Sequence, residues 1–288
     1  MRHLAPFLTL LLALTLTACS SDPAGGSKGK ADEARKPDPN RIRLGDERNV
    51  DVGRLSSADR MEIERAWRQF LSGSPIWRVS LKSIVSRGGA SPYVLSENLF
   101  RHFFTASIHS KKREIDRVAR SAAMIGEPAV AYFAKPLVED LVPLGKAVIA
   151  EVPDPDDPKS RIKKTFHHFQ IDDFTRRDAA RVLVAIGEPA VPTLASPALL
   201  EKARPSGRRY AAFALGKIGS DGAIDALERH LARASDWQDR AAAVQALGAA
   251  LKKNRRAEAA LERATRDPDS FVRKKADQAL AGKTKLPI

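Results

Sequence analysis

Cysteine is almost absent from this sequence, because Cys19 is the only one among 288 residues. No disulfide can form within the chain, so an oxidising compartment neither helps nor harms the fold. Long apolar runs are also lacking. The run from Leu4 to Leu16 is interrupted by Pro6 and two threonines, and it is too short to cross a bilayer core of roughly 30 Å.

Patterns typical of enzymes and metal proteins are missing as well. The sequence has no H-E-x-x-H motif and no P-loop. His167 and His168 are adjacent, so on a helix they would point roughly 100° apart and make poor co-ligands. His102 and His109 share a helical face, but no third ligand is evident. We therefore expect no catalytic residue, no metal and no cofactor.

One acidic run suggests a cation site at first sight. Asp154, Asp156 and Asp157 follow one another closely, as in a calcium loop. The glycine at the sixth position and the distal glutamate of such loops are absent. A solvated acidic loop is the interpretation that we adopt for this segment.

The N-terminus has the pattern of an export signal. Arg2 and His3 precede the apolar run, which leads into Leu16-Thr17-Ala18-Cys19. This tetrad resembles the lipobox of bacterial lipoproteins. The resemblance implies cleavage before Cys19, lipid on that cysteine, and an exported, membrane-anchored protein. The alternative is an ordinary secretory signal. With Ser20 after the cysteine, the resemblance favours the outer membrane over the inner one, or the cell surface.

Four segments follow from composition. Residues 1–18 form the signal, and residues 19–58 form a flexible, lipid-anchored linker with Gly25-Gly26, Pro37 and Pro39. Residues 59–112 form a helical cap with a degenerate repeat. Residues 113–288 form the repeat array, and the proline-rich run at 153–158 predicts an inserted loop near 151–165.

The array is recognised by self-similarity. Residues 125–130 recur letter for letter at 186–191, and several columns then repeat about every 32 residues. The arginine column is Arg176, Arg208, Arg240 and Arg273; the alanine column is Ala179, Ala211, Ala243 and Ala276; the aspartate column is Asp172, Asp236 and Asp269. Each unit predicts two antiparallel helices, the first ending at a glycine such as Gly187. Each aspartate stands four residues before an arginine, which predicts an i,i+4 pair and a structural ladder of charges between repeats.

The segment from Asp267-Pro268 through Val272-Arg273 to Leu280 resembles the HEAT-repeat consensus, in particular the short type named after phycobilisome lyases. The resemblance is strong over 176–282, recognisable at 117–137 and faint at 77–99. It implies an all-α solenoid of antiparallel helix pairs. Hydroxylases built on such repeats use His-Glu pairs, and this sequence contains no His-Glu dipeptide. The resemblance therefore implies an architecture without an activity.

Charge gives the last indication, since the formal net charge is +14. A basic surface attracts anionic partners through a salt-sensitive field. Export makes nucleic acid an unexpected partner and leaves lipids, envelope polymers and acidic proteins. A generic basic surface without a function is the alternative. The candidate anion-binding residues are Lys252, Lys253, Arg255, Arg256, Lys274 and Lys275.

These patterns favour a lipid-anchored, non-catalytic scaffold that binds another protein of the bacterial cell envelope. Two alternatives remain open. The basic surface could bind an anionic envelope polymer or lipid, or an enzyme site that no motif reveals could lie on the concave face of the solenoid.

Overall fold

A computed structural model describes residues 55–108, 111–153 and 160–288. Its first three helices are α1 (Ser57–Leu71), α2 (Trp77–Arg87) and α3 (Ser91–Ile108). Helix α1 begins with a capping box, in which Ser56 and Asp59 satisfy each other's backbone N–H groups. The apolar faces of α1, α2 and α3 meet in a core that contains Phe70 and Phe103.

The next two helices are α4 (Lys112–Ile125) and α5 (Glu127–Val138). Gly126 separates them with a φ of 77°, a conformation that side chains with a Cβ rarely adopt. Pro128 follows in the first turn of α5, where its missing N–H costs no hydrogen bond. The repeated Ile-Gly-Glu-Pro segment is thus a turn between two helices.

A β-hairpin follows α5 in the chain. Strand β1 (Leu141–Pro153) pairs antiparallel with β2 (Arg161–Gln170), and Pro153 lies opposite Arg161. The prediction of a loop near 151–165 is therefore wrong at both of its ends, where the strands extend into that range. The sequence of β1 is rich in β-branched residues, which favour a strand.

Helix pairs resume after the hairpin. The first helices of successive units are α6 (Asp173–Ile186), α8 (Pro205–Ile218), α10 (Trp237–Ala250) and α12 (Ser270–Leu280). The second helix of the first unit is broken into a 3-10 turn (Glu188–Ala190), the short α7 (Val191–Leu194) and a π-helical turn (Ala198–Lys202). The later units have α9 (Asp221–Arg233) and α11 (Ala257–Ala264) as second helices.

The first helices pack side by side with their backbones close together. A Cβ on Gly216 of α8 would lie 2.4 Å from the carbonyl oxygen of Ala246 on α10, and one on Gly248 would lie 2.6 Å from the Cβ of Ala279 on α12. Each contact joins the same two positions of consecutive repeats, so these helices run parallel. Ala211 and Ala243 are fully buried in this layer. The predicted all-α solenoid is confirmed, with the hairpin as its insertion. Among the described helices, none has the length and apolar character needed to span a membrane.

Candidate functional site: a groove on the first helices of the repeats

Each arginine of the repeated column holds the turn that precedes its own helix. In every case Nη1 donates a hydrogen bond to the carbonyl oxygen five residues earlier in the chain. The four acceptors are Ile171 (3.3 Å from Arg176), Ala203 (2.8 Å from Arg208), Ser235 (2.9 Å from Arg240) and Pro268 (2.9 Å from Arg273). A hydrogen bond from a charged donor is stronger than one between neutral groups, so the column fixes the entry of each first helix.

The predicted i,i+4 pairs between the aspartate and arginine columns do not form among the described residues, so that prediction is wrong. Asp172, Asp236 and Asp269 are the N-cap residues of α6, α10 and α12. Their side chains accept hydrogen bonds from backbone N–H groups of the first turn at 2.7–2.8 Å. The extended backbone of an N-cap residue directs its carboxylate to those amides and away from the arginine four residues on.

Acids elsewhere in the array pair with the arginines instead. Arg208 bonds Asp239 at 2.7 Å, and Arg240 bonds Asp267 at 2.9 Å, so both pairs join one repeat to the next. Arg176 bonds Asp140, the residue directly before the hairpin, at 2.6 Å. Sequence reasoning assigned none of these three acids to an arginine, because none of them belongs to a periodic column.

The pair of Arg240 and Asp267 has the electrostatics of a structural contact. The hydrogen bond with Asp267 raises the pKa of Arg240. Partial burial alone would raise the pKa of Asp267, but the hydrogen bonds from Arg240 and from the backbone of Asp269, together with the charges of Arg240 and Arg273, lower that pKa overall. Both groups are therefore charged over the whole physiological range, and the guanidinium is already occupied.

Beside this ladder lies an open groove of about 300 Å³ on the faces of α8, α10 and α12. Its floor is formed by Ala241, Ala242 and Gln245 of α10. Its other lining residues are Pro205, Arg209, Trp237, Gln238, Asp239, Phe271 and Lys275. Asp239 is the acid that pairs with Arg208, so the groove adjoins the ladder directly.

Two large aromatic side chains stand exposed at this groove. Trp237 is 41% exposed and Phe271 is 44% exposed, and their rings meet edge to face with centroids 5.3 Å apart. The ammonium of Lys275 lies 5.0 Å from the centre of the Phe271 ring, as in a cation–π contact. Exposed aromatic side chains beside cationic ones are typical of surfaces that bind a partner.

The same combination of side chains recurs on α6. Phe174, which is 63% exposed, holds the position in its repeat that Phe271 holds in the last one. The guanidinium of Arg177 lies 5.1 Å from the Phe174 ring, and Arg177 corresponds to Arg209 of the groove. We refer to Phe174, Arg177, Arg209, Trp237, Phe271 and Lys275 as the aromatic–basic stripe. Sequence reasoning missed its aromatic members, although each follows an N-cap aspartate by one or two residues and lies off the core stripe.

The candidate anion-binding residues do not form one surface. Lys275 lies in the groove and Lys274 is exposed beside it, in the first turns of α12. Lys252, Lys253, Arg255 and Arg256 lie beyond the other end of α10. Lys253 donates a hydrogen bond to the carbonyl of Lys217, and Arg256 pairs with Asp221 and Asp225 of α9. Lys252 is exposed. The pair Lys274 and Lys275 is therefore separated from the cluster at 252–256 by roughly 15 Å, measured along the direction of the parallel helices.

His102 has the surroundings of a structural histidine. His102 contacts Glu114 at 3.1 Å and the rings of Trp67 and Phe70 edge to face. Burial lowers the pKa of His102, and it also lowers that of His230. His167 and His168 lie on β2, and His109 is outside the described residues. Within the described ranges, His, Cys, Asp and Glu form no group that could hold a metal ion.

Two further predictions fall outside the part of the chain that the structure describes. Cys19, with the signal and the linker, precedes residue 55. Asp154, Asp156 and Asp157 lie between the strands of the hairpin, within 154–159.

Comparison with known proteins identifies the class of repeat in one segment of this solenoid. Residues 171–248 match the family model of HEAT repeats, so this segment carries repeats of that class. Human deoxyhypusine hydroxylase, in complex with glycerol, is a similar solved structure, with 17% identity, a TM-score of 0.35, and coverage of 79% of this chain and 81% of that chain. A designed armadillo repeat protein is also similar, with 17% identity, a TM-score of 0.29, and coverage of 77% and 99%. No curated protein matches the sequence.

Proposed function

We propose that this protein is a non-catalytic scaffold, anchored by lipid on Cys19, that binds another envelope protein through the groove on α8, α10 and α12. The exposed pair of Trp237 and Phe271 carries the proposal, since two aromatic side chains in contact with water favour a site that a partner covers. HEAT repeats over 171–248 supply the extended surface on which such sites are built.

The four arginines of the column already have hydrogen-bond partners within the protein, so they are not available to bind another protein. They hold backbone carbonyls, and three of them also hold carboxylates. Binding therefore depends on the groove beside them. In the described residues the only acid that lines the groove is Asp239, which Arg208 already holds. A pair of carboxyls for acid–base catalysis is missing there.

The partner contact is tested by a photo-crosslinking residue at position 245 in cells of the native host. We expect one cross-linked protein that disappears when Trp237→Ala and Phe271→Ala are introduced together. A crosslinker at exposed Ala259 of α11 is the control. The same products from both positions, or no product from position 245, would contradict the proposal.

The anchor is supported by the tetrad Leu16-Thr17-Ala18-Cys19 and by the short apolar run before it. Palmitate labelling tests it: the wild type should be labelled and recovered with membranes, and Cys19→Ala should be neither. Equal labelling of both proteins would exclude lipid on Cys19, while leaving the test of the groove unaffected.

The alternative of an anionic polymer or lipid as the partner is favoured by one observation, the formal net charge of +14. The engagement of Lys253 and Arg256 by neighbouring residues weighs against a dedicated site at that cluster. Salt-sensitive binding that is insensitive to Trp237→Ala would favour this alternative.

A further inference from the structure

We infer that the occupant of the groove is an extended acidic peptide of the partner protein, which lies across the first helices and pairs its carboxylates with Arg209 and Lys275. This inference rests on the proposed function and specifies the chemistry of the partner. Its apolar side chains pack against Trp237 and Phe271.

The charged residues of the groove decide whether the peptide is acidic or basic. Arg209 is exposed, and its guanidinium lies 6.0 Å from the ring of Tyr210. No ion pair within the described ranges involves Arg209 or Lys275, and Asp239, the acid of the groove, is held by Arg208. The parallel first helices also direct their N-terminal ends, with partial positive charge, to one edge of the layer. Carboxylates are therefore attracted to this groove, and basic segments are repelled.

The floor of the groove favours a peptide over a polyphosphate. Ala241 and Ala242, which are almost fully buried, line the groove together with the two aromatic side chains and make this part of it apolar. Gln245 supplies one amide that can both donate and accept, which is what the main chain of an extended peptide requires. A polyphosphate has neither apolar groups nor amides. An acidic peptide uses the apolar, amide and cationic parts of this surface together.

The spacing of the helices sets the length of the peptide. Packed helices are about 8–10 Å apart, and an extended chain advances about 3.3 Å per residue, so one helix is crossed every three residues or so. The aromatic–basic stripe begins at Phe174 on α6 and ends at Lys275 on α12. A peptide that follows all four helices therefore needs about ten residues, with acidic side chains opposite Arg209 and Lys275 and apolar ones between them.

Selection from a phage-displayed library of random ten-residue peptides tests this chemistry. The target is the full chain in detergent, and the non-target is the same chain with Trp237→Ala and Phe271→Ala. We expect enriched sequences that combine Asp or Glu with apolar residues and that are lost on the double variant. Enrichment of basic or uncharged sequences, or of none, would overturn the inference.

The best selected peptide, labelled with fluorescein, then serves as the probe in titrations. Lys275→Glu should lower its affinity at least about tenfold, because an attraction becomes a repulsion. Arg229→Glu on α9, the second helix of its unit, makes the same change of charge at an exposed position outside the groove. It should change the affinity less than about twofold. A twin peptide with Gln for Glu and Asn for Asp should bind as weakly as the original binds Lys275→Glu. Equal effects of the two charge reversals would refute the assignment.

The outcomes separate this inference from the proposed function. If position 245 crosslinks a partner that needs Trp237 and Phe271, but the selected peptides carry no acids, the scaffold stands and the acidic peptide is wrong. If inorganic polyphosphate binds the full chain more tightly than any peptide and depends on Lys275, the occupant is a polymer. If neither the crosslink nor the selection depends on the aromatic pair, both proposals fail.

Discussion

The guanidinium of Arg240 makes two hydrogen bonds to the carboxylate of Asp267, with Nε at 2.9 Å and Nη2 at 3.1 Å. The third nitrogen, Nη1, donates to the carbonyl oxygens of Ala234 and Ser235. One side chain therefore joins the entry of α10 to the turn before α12. Both charged groups are mostly buried, so the contact is shielded from salt.

Arg240→Ala is expected to lower the free energy of unfolding by about 2–3 kcal/mol, because it leaves a mostly buried carboxylate without its partner. Urea unfolding monitored by circular dichroism measures the change. Arg229→Ala, at an exposed position of α9, is the matched control and should cost less than about 0.5 kcal/mol. The folded Arg240→Ala protein should still bind the groove peptide. A variant that melts like the wild type yet loses binding would make the column a binding site.

The alanine column should be intolerant of larger side chains. Ala211 and Ala243 are fully buried where the first helices approach one another, so Leu at either position should cost roughly 1–3 kcal/mol by overpacking. Ala259→Leu makes the same change at an exposed position of α11 and should leave the melting temperature close to that of the wild type. Unchanged melting of both buried variants would mean that the repeats are aligned incorrectly.

The local part of this architecture was predictable from sequence, and the long-range part was not. Helix ends at Gly187 and Gly219 follow from a backbone conformation that glycine adopts readily. The arginine column was recognised by its period, but its partner Asp239 occupies a position where other repeats have Thr175, Gly207 and Val272. Only the packing of one repeat on the next reveals such a pair.

The candidate site shows the same limit. Trp237 and Phe271 look like ordinary apolar residues near the start of a helix, and only the arrangement of three helices shows that they face an open groove. The basic residues were noticed as clusters, yet their engagement differs. Lys275 borders the groove, whereas Arg256 is held by acids of the preceding unit. Composition gives the sign of the charge, but it does not show which charges are free.

Acid should destabilise the N-terminal helices through His102. Burial holds its pKa below the ordinary value of about 6.5, so the unfolded chain binds the proton more readily. Stability is therefore fully present above the unfolded pKa and is lost as the pH falls below about 6.5. His102→Gln should reduce the loss of unfolding free energy between about pH 7.5 and 5.5 relative to the wild type, as measured by urea unfolding at both pH values. An identical pH dependence of the two proteins would assign the effect to other groups, with His230 the first to consider.

The basic cluster beyond α10 should affect nonspecific attraction without affecting the groove. Replacing Lys252, Lys253, Arg255 and Arg256 by glutamine should cost little stability, because Arg256 and its acids form exposed pairs of the kind that contribute under about 1 kcal/mol. Association of the Cys19→Ala chain with vesicles that contain phosphatidylglycerol should weaken, and its salt dependence should become shallower. Affinity for the groove peptide should stay within about twofold of the wild-type value, because the cluster lies roughly 15 Å from Lys275 and salt screens charges over that distance. The converse variant, Arg209→Gln with Lys275→Gln, should retain most of the vesicle association and lose the peptide. If the cluster variant loses the peptide as well, the two basic surfaces act as one, and the anionic polymer becomes the better candidate for the partner.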